Sequence, residues 1–170
     1  MALLSIAEYQ NLIDDTVAII DIGAAGTRVV IGDNRNIYLS RNIDIGGSEF
    51  TRVIMEEDKL NYNEADNVKK RNGIPEEEEE MSLELAISQI ATTGLGESHS
   101  LVLLARNLAE QIERSLDYYN MKYRRNIEKV FISGGGIKLK RLKNIIEDRL
   151  GRELLSLDPY FNVGVRKGSD

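Results

Sequence analysis

The pattern of apolar positions places strands at both ends of the chain and helices between them. Residues 16–23, TVAIIDIG, form a β-branched apolar run that ends at Asp and Gly, which predicts a buried strand with a loop at its tip. Residues 27–45 hold two further apolar runs separated by the polar turn 33–36, which predicts a β-hairpin. We therefore expect the chain to open with three consecutive, adjacent strands.

Helical spacing replaces strand spacing after residue 46. Apolar residues at 50, 53, 54 and 60 predict a first helix, with Ser48 as its candidate cap. Residues 63–73, NEADNVKKRNG, predict a second, short helix that ends at Gly73. A third helix is expected from Pro75, because the acidic run 76–80 suits the partial positive charge of a helix amino end.

A long helical stretch follows and is interrupted at Gly94 and Gly96. Its second part carries an apolar stripe that we interpret as core: Leu101, Leu104, Ala105, Leu108, Ile112, Leu116 and Tyr119. The strand 129–133, three glycines, a helix over 139–150 and a last strand over 152–158 complete the order. This order predicts an α/β fold with a mixed five-stranded sheet and helices packed on it.

Composition narrows the classes of function. The 170 residues carry a net charge of -6, which makes nucleic acid a poor partner, since phosphate binding needs a basic surface. The chain has no cysteine and only His99, so disulfides and thiolate metal sites are excluded and a histidine metal site is disfavoured. No apolar run reaches the roughly 20 residues that span a bilayer, and the first residues do not resemble a signal peptide. We therefore expect a cytoplasmic protein.

The first candidate site is the stretch DIGAAGTR, residues 21–28. The small residues 23–26, which we name the first glycine turn, let backbone N–H groups approach an anion. Thr27 could add a hydroxyl donor, and Asp21 could hold a metal-bound water beside a phosphate. Taken alone, the stretch is explained more simply by a tight hairpin with a capping Asp.

The second candidate site is SGGG, residues 133–136, whose glycines 134–136 we name the second glycine turn. It follows the carboxyl end of a strand, where ligands of open α/β sheets bind, and glycines allow a nucleoside to lie against the backbone. The alternative is a turn required for close strand–helix packing. The spacing of a Walker loop is absent. We expect the two glycine turns to converge on one edge of the sheet.

The two turns in this order carry a resemblance to a known superfamily. Residues 18–31, AIIDIGAAGTRVVI, resemble the second phosphate loop of actin, the large heat-shock chaperones and FtsA, and residues 130–144 resemble its adenosine loop. Residues 41–57 resemble the segment that follows the phosphate loop. Three further stretches resemble the PilM-type type IV pilus assembly proteins: 63–73, 112–120 and 154–163.

The resemblance implies a ribonuclease H-like fold, the half-unit of actin, with a small helical insertion. Only the second large domain of such a protein is expected here, without the half that carries the other phosphate loop. The implied organisation is a lead-in at 1–15, a core at 16–60 and 124–165, an inserted helical subdomain with its return helix at 61–123, and a tail at 166–170. A vector origin is one explanation of that tail.

The resemblance also implies site residues. The residues expected to face phosphates and magnesium are Asp21, Gly23, Ala24, Gly26 and Thr27. Asp21 would hold the metal through water. The residues expected to face the adenosine are Gly134, Gly135, Gly136 and Lys138. ATP and Mg²⁺ would be cofactors of a longer parent, and we expect this chain alone to bind neither. Arg28 departs from the Thr or Asp common in the family, and it either points away as a strand residue or neutralises phosphate.

The implied function is that of a scaffold of pilus assembly, not of an enzyme. Such proteins lie at the inner face of the cytoplasmic membrane, without inserting into it. They carry the cytoplasmic tail of a PilN-type protein at a site expected in the missing half, with assembly ATPases nearby. The alternatives are an FtsA-like cell-division or filament-forming protein and a ribonuclease H-like nuclease. The nuclease is disfavoured because two-metal catalysis needs converging carboxylates, whereas the fourth strand ends in Ser133 and glycines.

Overall fold

The fold is a five-stranded mixed sheet with helices on it, seen in a computed structural model that describes residues 16–33, 35–75 and 97–157. The strand order is β3-β2-β1-β4-β5, with antiparallel pairing among β1, β2 and β3 and parallel pairing of β4 with β1 and of β5 with β4. The predicted α/β sheet and its opening hairpin are thus confirmed. The strands are β1 Val17–Ile22, β2 Thr27–Gly32, β3 Ile37–Ile43, β4 Lys129–Ser133 and β5 Leu155–Ser156.

The described helices are α1 Gly47–Asp58, α2 Tyr62–Asn72, α3 Glu97–Tyr123 and α4 Leu142–Leu150, with a 3-10 turn at Gly135–Lys138. Helix α2 begins with a capping box between Asn61 and Glu64 and ends at Gly73, as predicted. Our predictions for the lead-in, for the acidic run 76–80, for the interruption at 94 and 96 and for the tail lie outside the described residues.

Three predicted boundaries were wrong. Helix α1 has Gly46 and not Ser48 at its cap position, because the Ser48 N–H is bonded to Ala24 in the first glycine turn. The helix expected from residue 139 begins at Leu142, because Leu139 is extended and Arg141 has a left-handed backbone with a φ of 71°. The last strand is a two-residue strand.

One face of the sheet builds the main core with the described helices. Ala18, Ile20 and Ile22 of β1 share an apolar cluster with the stripe of α3, which confirms the core interpretation of that stripe. Leu104 is only partly buried. Ala65 of α2 and Ile74 join the same cluster, so described parts of the segment predicted as an insertion pack with the sheet.

The opposite face of the central strands is buried as well. Val17, Ile19, Val30 and Phe131 are 0, 0, 6 and 2% exposed, yet they lie outside the cluster of the first face. Burial on both faces explains why β1 and β4 read as continuous apolar runs and do not alternate with polar residues.

A carboxylate organises the hairpin between β2 and β3. Asp33 accepts the N–H groups of Arg35 and Asn36 at 2.9 and 2.8 Å and the hydroxyl of Tyr38 at 2.6 Å. These hydrogen bonds, that of Tyr38 above all, hold the pKa of Asp33 below its ordinary value of 3.8. The same contact raises the pKa of Tyr38.

Because the pKa of Asp33 is lowered on folding, its contribution to stability is present above about pH 4 and is lost as the pH falls through the folded-state pKa. We predict that Asp33→Asn lowers the melting temperature at neutral pH and flattens its fall below about pH 4. Thermal unfolding followed by circular dichroism over a pH series measures both effects. Asp148→Asn, at an exposed residue of α4, is the control. Identical pH profiles for Asp33→Asn and the unchanged protein would contradict this account.

Candidate functional site

The parallel pairing of β1 with β4 places both glycine turns at one edge of the sheet. Asp21 near the end of β1 lies opposite Ser133 at the end of β4. A Cβ atom added at Gly134 would collide with the carbonyl oxygen of Ile22 and would lie 2.6 Å from Oδ1 of Asp21. The expected convergence of the two turns is therefore confirmed.

The first glycine turn is held from behind by the start of α1. The N–H groups of Gly47 and Ser48 donate to the carbonyls of Gly23 and Ala24, both at 2.9 Å. A Cβ atom at Gly46 would lie 2.6 Å from the Ala24 oxygen, so this approach requires glycine. These bonds use the first N–H groups of α1 and leave the outer side of the turn open.

The outer side of this edge presents polar groups that have no partner among the described residues. In residues 16–33, 35–75 and 97–157, the partly exposed carboxylate of Asp21 has no hydrogen bond or ion pair. The N–H groups of the exposed Ala24 and Ala25 likewise have no acceptor in the described part of the chain. Outward N–H groups bind anions, and a carboxylate binds a cation or the water of a metal ion.

The described residues at this edge do not form a metal centre by themselves. Among the described residues, no group of three or more metal-ligating side chains could hold an ion. Asp21 alone therefore fits magnesium only if phosphate, water or another domain supplies the remaining ligands.

The three glycines of the second turn have different surroundings. Gly134 has a φ of +93° and touches Asp21, and a Cβ atom at Gly136 would collide with the side chain of Ile22. Gly135 is exposed, and a Cβ atom there would have nothing within 4 Å. Gly134 and Gly136 therefore serve close packing, whereas the surface over Gly135 is open to a ligand.

The remaining predicted residues lie around this edge in different ways. Thr27 is 2% exposed and its hydroxyl donates to the Ile45 carbonyl at 2.7 Å, so a contact of Thr27 with phosphate stays a prediction. Lys138 is exposed at the end of the 3-10 turn. Arg28 lies across from Asp21 in the β1–β2 register, and its Nε donates to Oδ1 of Asn42 on β3 at 3.1 Å.

Sequence reasoning missed two features behind the first glycine turn. The docking of Gly46 and Gly47 on the turn depends on contacts between distant residues, although the paired glycines before a helix were a signal. Lys69 of α2 donates to the Gly47 carbonyl at 3.0 Å. In the sequence, the only signal of this contact was the i,i+3 spacing of Asp66 and Lys69. That spacing is equally typical of an ion pair on a helix surface.

This architecture is the actin-like, ribonuclease H-like α/β fold. An archaeal actin homologue superposes with a TM-score of 0.58 at 17% identity, covering 93% of this chain and 48% of that chain. MreB 5 of Spiroplasma citri bound to AMPPNP superposes with a TM-score of 0.61 at 18% identity, and the match covers 92% of this chain and 52% of that chain. A chain of a PilM–PilN type IV pilus biogenesis complex superposes with a TM-score of 0.68 at 22% identity, and the match covers 94% of this chain and 41% of that chain.

The family follows from the sequence of the chain. The model of the family described as type IV pilus assembly protein PilM matches residues 4–170, so the chain belongs to the PilM family. This confirms the resemblance drawn from the motifs. The chain spans 41% of the length of the matched chain in the PilM–PilN complex. No helix within the described ranges is both long and apolar enough to cross a membrane.

The different surroundings of the three glycines lead to a prediction about stability. Gly134→Ala and Gly136→Ala should each lower the free energy of unfolding by about 1–3 kcal/mol, because the first forces a positive φ and both force an overlap. Gly135→Ala should change it by less than about 0.5 kcal/mol. Urea denaturation of the three variants measures the difference. Equal losses at all three positions would show that Gly135 is also a packing glycine.

Proposed function

We propose that this chain is the C-terminal domain of a cytoplasmic, actin-like scaffold protein of type IV pilus assembly, and that it forms one half of an ATP-binding cleft. The family match supports the pilus assembly role. The nucleotide part rests on one observation: the Asp21 carboxylate, which has no partner among the described residues, lies beside Gly134, where both glycine turns leave the same sheet edge.

The residues at this edge fit a nucleotide in distinct roles. The N–H groups of Ala24 and Ala25 would donate to phosphate oxygens, because both residues are exposed and neither N–H has an acceptor in the described part of the chain. The carboxylate of Asp21 would accept a hydrogen bond from water on the magnesium ion. The open surface of Gly135 would receive the nucleoside, with Lys138 beside it. When bound, ATP with its magnesium ion supplies the negative charge that these donors neutralise.

A half-cleft suits these observations better than a complete site. The partnerless groups lie at the edge of one sheet, and the described residues hold no cluster of metal-ligating side chains beside them. A second set of phosphate donors would come from the preceding half of a longer protein, which is consistent with the 41% share of the matched solved chain. We assign no catalytic residue to this chain, and we propose a scaffold, not an enzyme.

The partner proposal depends on the family and on the solved complex. One similar solved chain belongs to a complex of PilM with PilN. We propose that the longer protein carries the cytoplasmic tail of a PilN-type inner-membrane protein, on a site in its preceding half. It would then lie at the inner face of the cytoplasmic membrane, next to the assembly ATPases.

A half-cleft predicts weak nucleotide binding by the isolated chain. Calorimetric titration with Mg-ATP should show no binding in the micromolar range, because one domain supplies only part of the contacts. The longer protein should bind in the same assay. Micromolar affinity of the 170-residue chain alone would show that the site is complete without a second half.

Substitutions in the longer protein test the assigned residues. Gly135→Leu fills the open surface and should weaken ATP binding by at least about tenfold with little loss of stability, since a nucleoside can no longer lie against the backbone. Asp21→Asn should reduce the magnesium dependence of binding. Asp148→Asn, on the exposed surface of α4, is the matched control. Unchanged ATP affinity in Gly135→Leu would refute the nucleoside assignment.

A further inference from the structure

The ammonium of Lys69 is held at three points behind the first glycine turn. Its Nζ donates to the Gly47 carbonyl at 3.0 Å and to Oγ1 of Thr51 at 2.6 Å, and it forms an ion pair with Oδ1 of Asp66 at 2.7 Å. The side chain is 14% exposed. Three acceptors match the three protons of a lysine ammonium, so this nearly buried charge is fully paired.

The neighbours of Lys69 reinforce this geometry. The hydroxyl of Thr51, a fully buried residue, donates to the same Gly47 carbonyl at 3.1 Å. The hydrogen bonds that Asp66 accepts lower its pKa; the one from Lys69 has the largest effect, followed by the one from Lys70. Lys70 also pairs with Asp66, but its side chain is 69% exposed, whereas that of Lys69 is 14% exposed.

Gly47 connects this cluster to the candidate site. Its carbonyl accepts from Lys69, while its N–H donates to the Gly23 carbonyl at 2.9 Å. A continuous series of hydrogen bonds thus leads from Asp66 on α2 to the first glycine turn. The N–H groups of the exposed Ala24 and Ala25, in the same turn, have no acceptor among the described residues.

The last turn of α2, which carries Lys69, also contacts the segment after the second glycine turn. Nζ of Lys140 donates to the Arg71 carbonyl at 2.6 Å, and the N–H of Ile74 donates to the Lys140 carbonyl at 3.2 Å. A Cβ atom at Gly73 would lie 2.6 Å from Cβ of Lys140. Helix α2 therefore bridges the supports of both turns, and Lys69 is its contact on the phosphate side.

We propose that Lys69 is a positioning residue that sets the first glycine turn for phosphate binding, through Gly47. The phosphate part of this inference rests on the proposed function, whereas the positioning part does not. Losing the ammonium should loosen the first turn and leave the second turn in place, because Lys140 holds α2 there independently.

Amide hydrogen exchange of the 170-residue chain tests the positioning role without nucleotide. In Lys69→Met, exchange at the Gly47 and Ser48 amides should accelerate by about tenfold, as expected for the loss of a charge-assisted hydrogen bond. Lys59→Met, with the same change of charge at an exposed residue just after α1, should leave both amides unchanged. Equal exchange in the two variants would overturn the proposal.

A second variant keeps the test decisive if Lys69→Met does not fold. Asp66→Asn retains the shape and leaves the Thr51 hydroxyl on the Gly47 carbonyl, but it removes the carboxylate that pairs with the ammonium. It should accelerate exchange at the same two amides by a smaller factor. Unchanged exchange at Gly47 and Ser48 in this variant would also overturn the proposal.

Affinities of the longer protein test the link to phosphate. Lys69→Met should lower ATP affinity by about tenfold and change adenosine affinity by less than about twofold, since only the phosphate side is displaced. Equal losses for both ligands, or none, would make Lys69 a purely structural residue and overturn the proposal. If the unchanged protein binds neither ligand, the proposed function fails, and the exchange experiment still decides the positioning role.

Discussion

The rest of the candidate site depends on the parallel pairing of β1 with β4. Because parallel strands end at the same sheet edge, this register brings Asp21 next to Ser133 and makes both glycine turns leave the sheet side by side. Gly134 makes the approach feasible, since any side chain there would collide with β1 and would require a positive φ. A shift of this register by one residue would direct Asp21 into the opposite face and separate it from the turn.

Some groups at this edge hold the glycine turns in place, and others are left accessible to a ligand. Carbonyls of the first glycine turn accept hydrogen bonds from the N–H groups of Gly47 and Ser48 at the start of α1. Lys69 of α2 donates to the carbonyl of the same Gly47. The exposed Ala24 and Ala25 have N–H groups with no acceptor among the described residues. The same division recurs in the second turn, where Gly134 and Gly136 pack against β1 while Gly135 remains open. Each turn thus combines a rigid inner side with an accessible outer side, as a binding site for a flat, charged ligand requires.

Local sequence signals predicted most of the fold. The β-branched runs of β1 and β4, the polar turn at Asp33 and the stripe of α3 are patterns within a few residues, and all were confirmed. The errors arose where a tertiary contact overrode a local signal. Ser48 suits a helix cap, but its N–H is bonded to Ala24. Lys69 reads as half of an i,i+3 surface pair, and only the folded chain places it against Gly47. The three glycines look equivalent in sequence, and only their neighbours separate them.

The central claim is that the two glycine turns form one half of a single nucleotide cradle. Hydrogen exchange measured by mass spectrometry on the longer protein, with and without Mg-ATP, tests it most directly. The account predicts that peptides covering residues 20–28 and 133–140 are protected together when Mg-ATP is added, and that neither is protected by Mg²⁺ alone. Protection of one turn without the other, or of neither turn while ATP is bound, would contradict it.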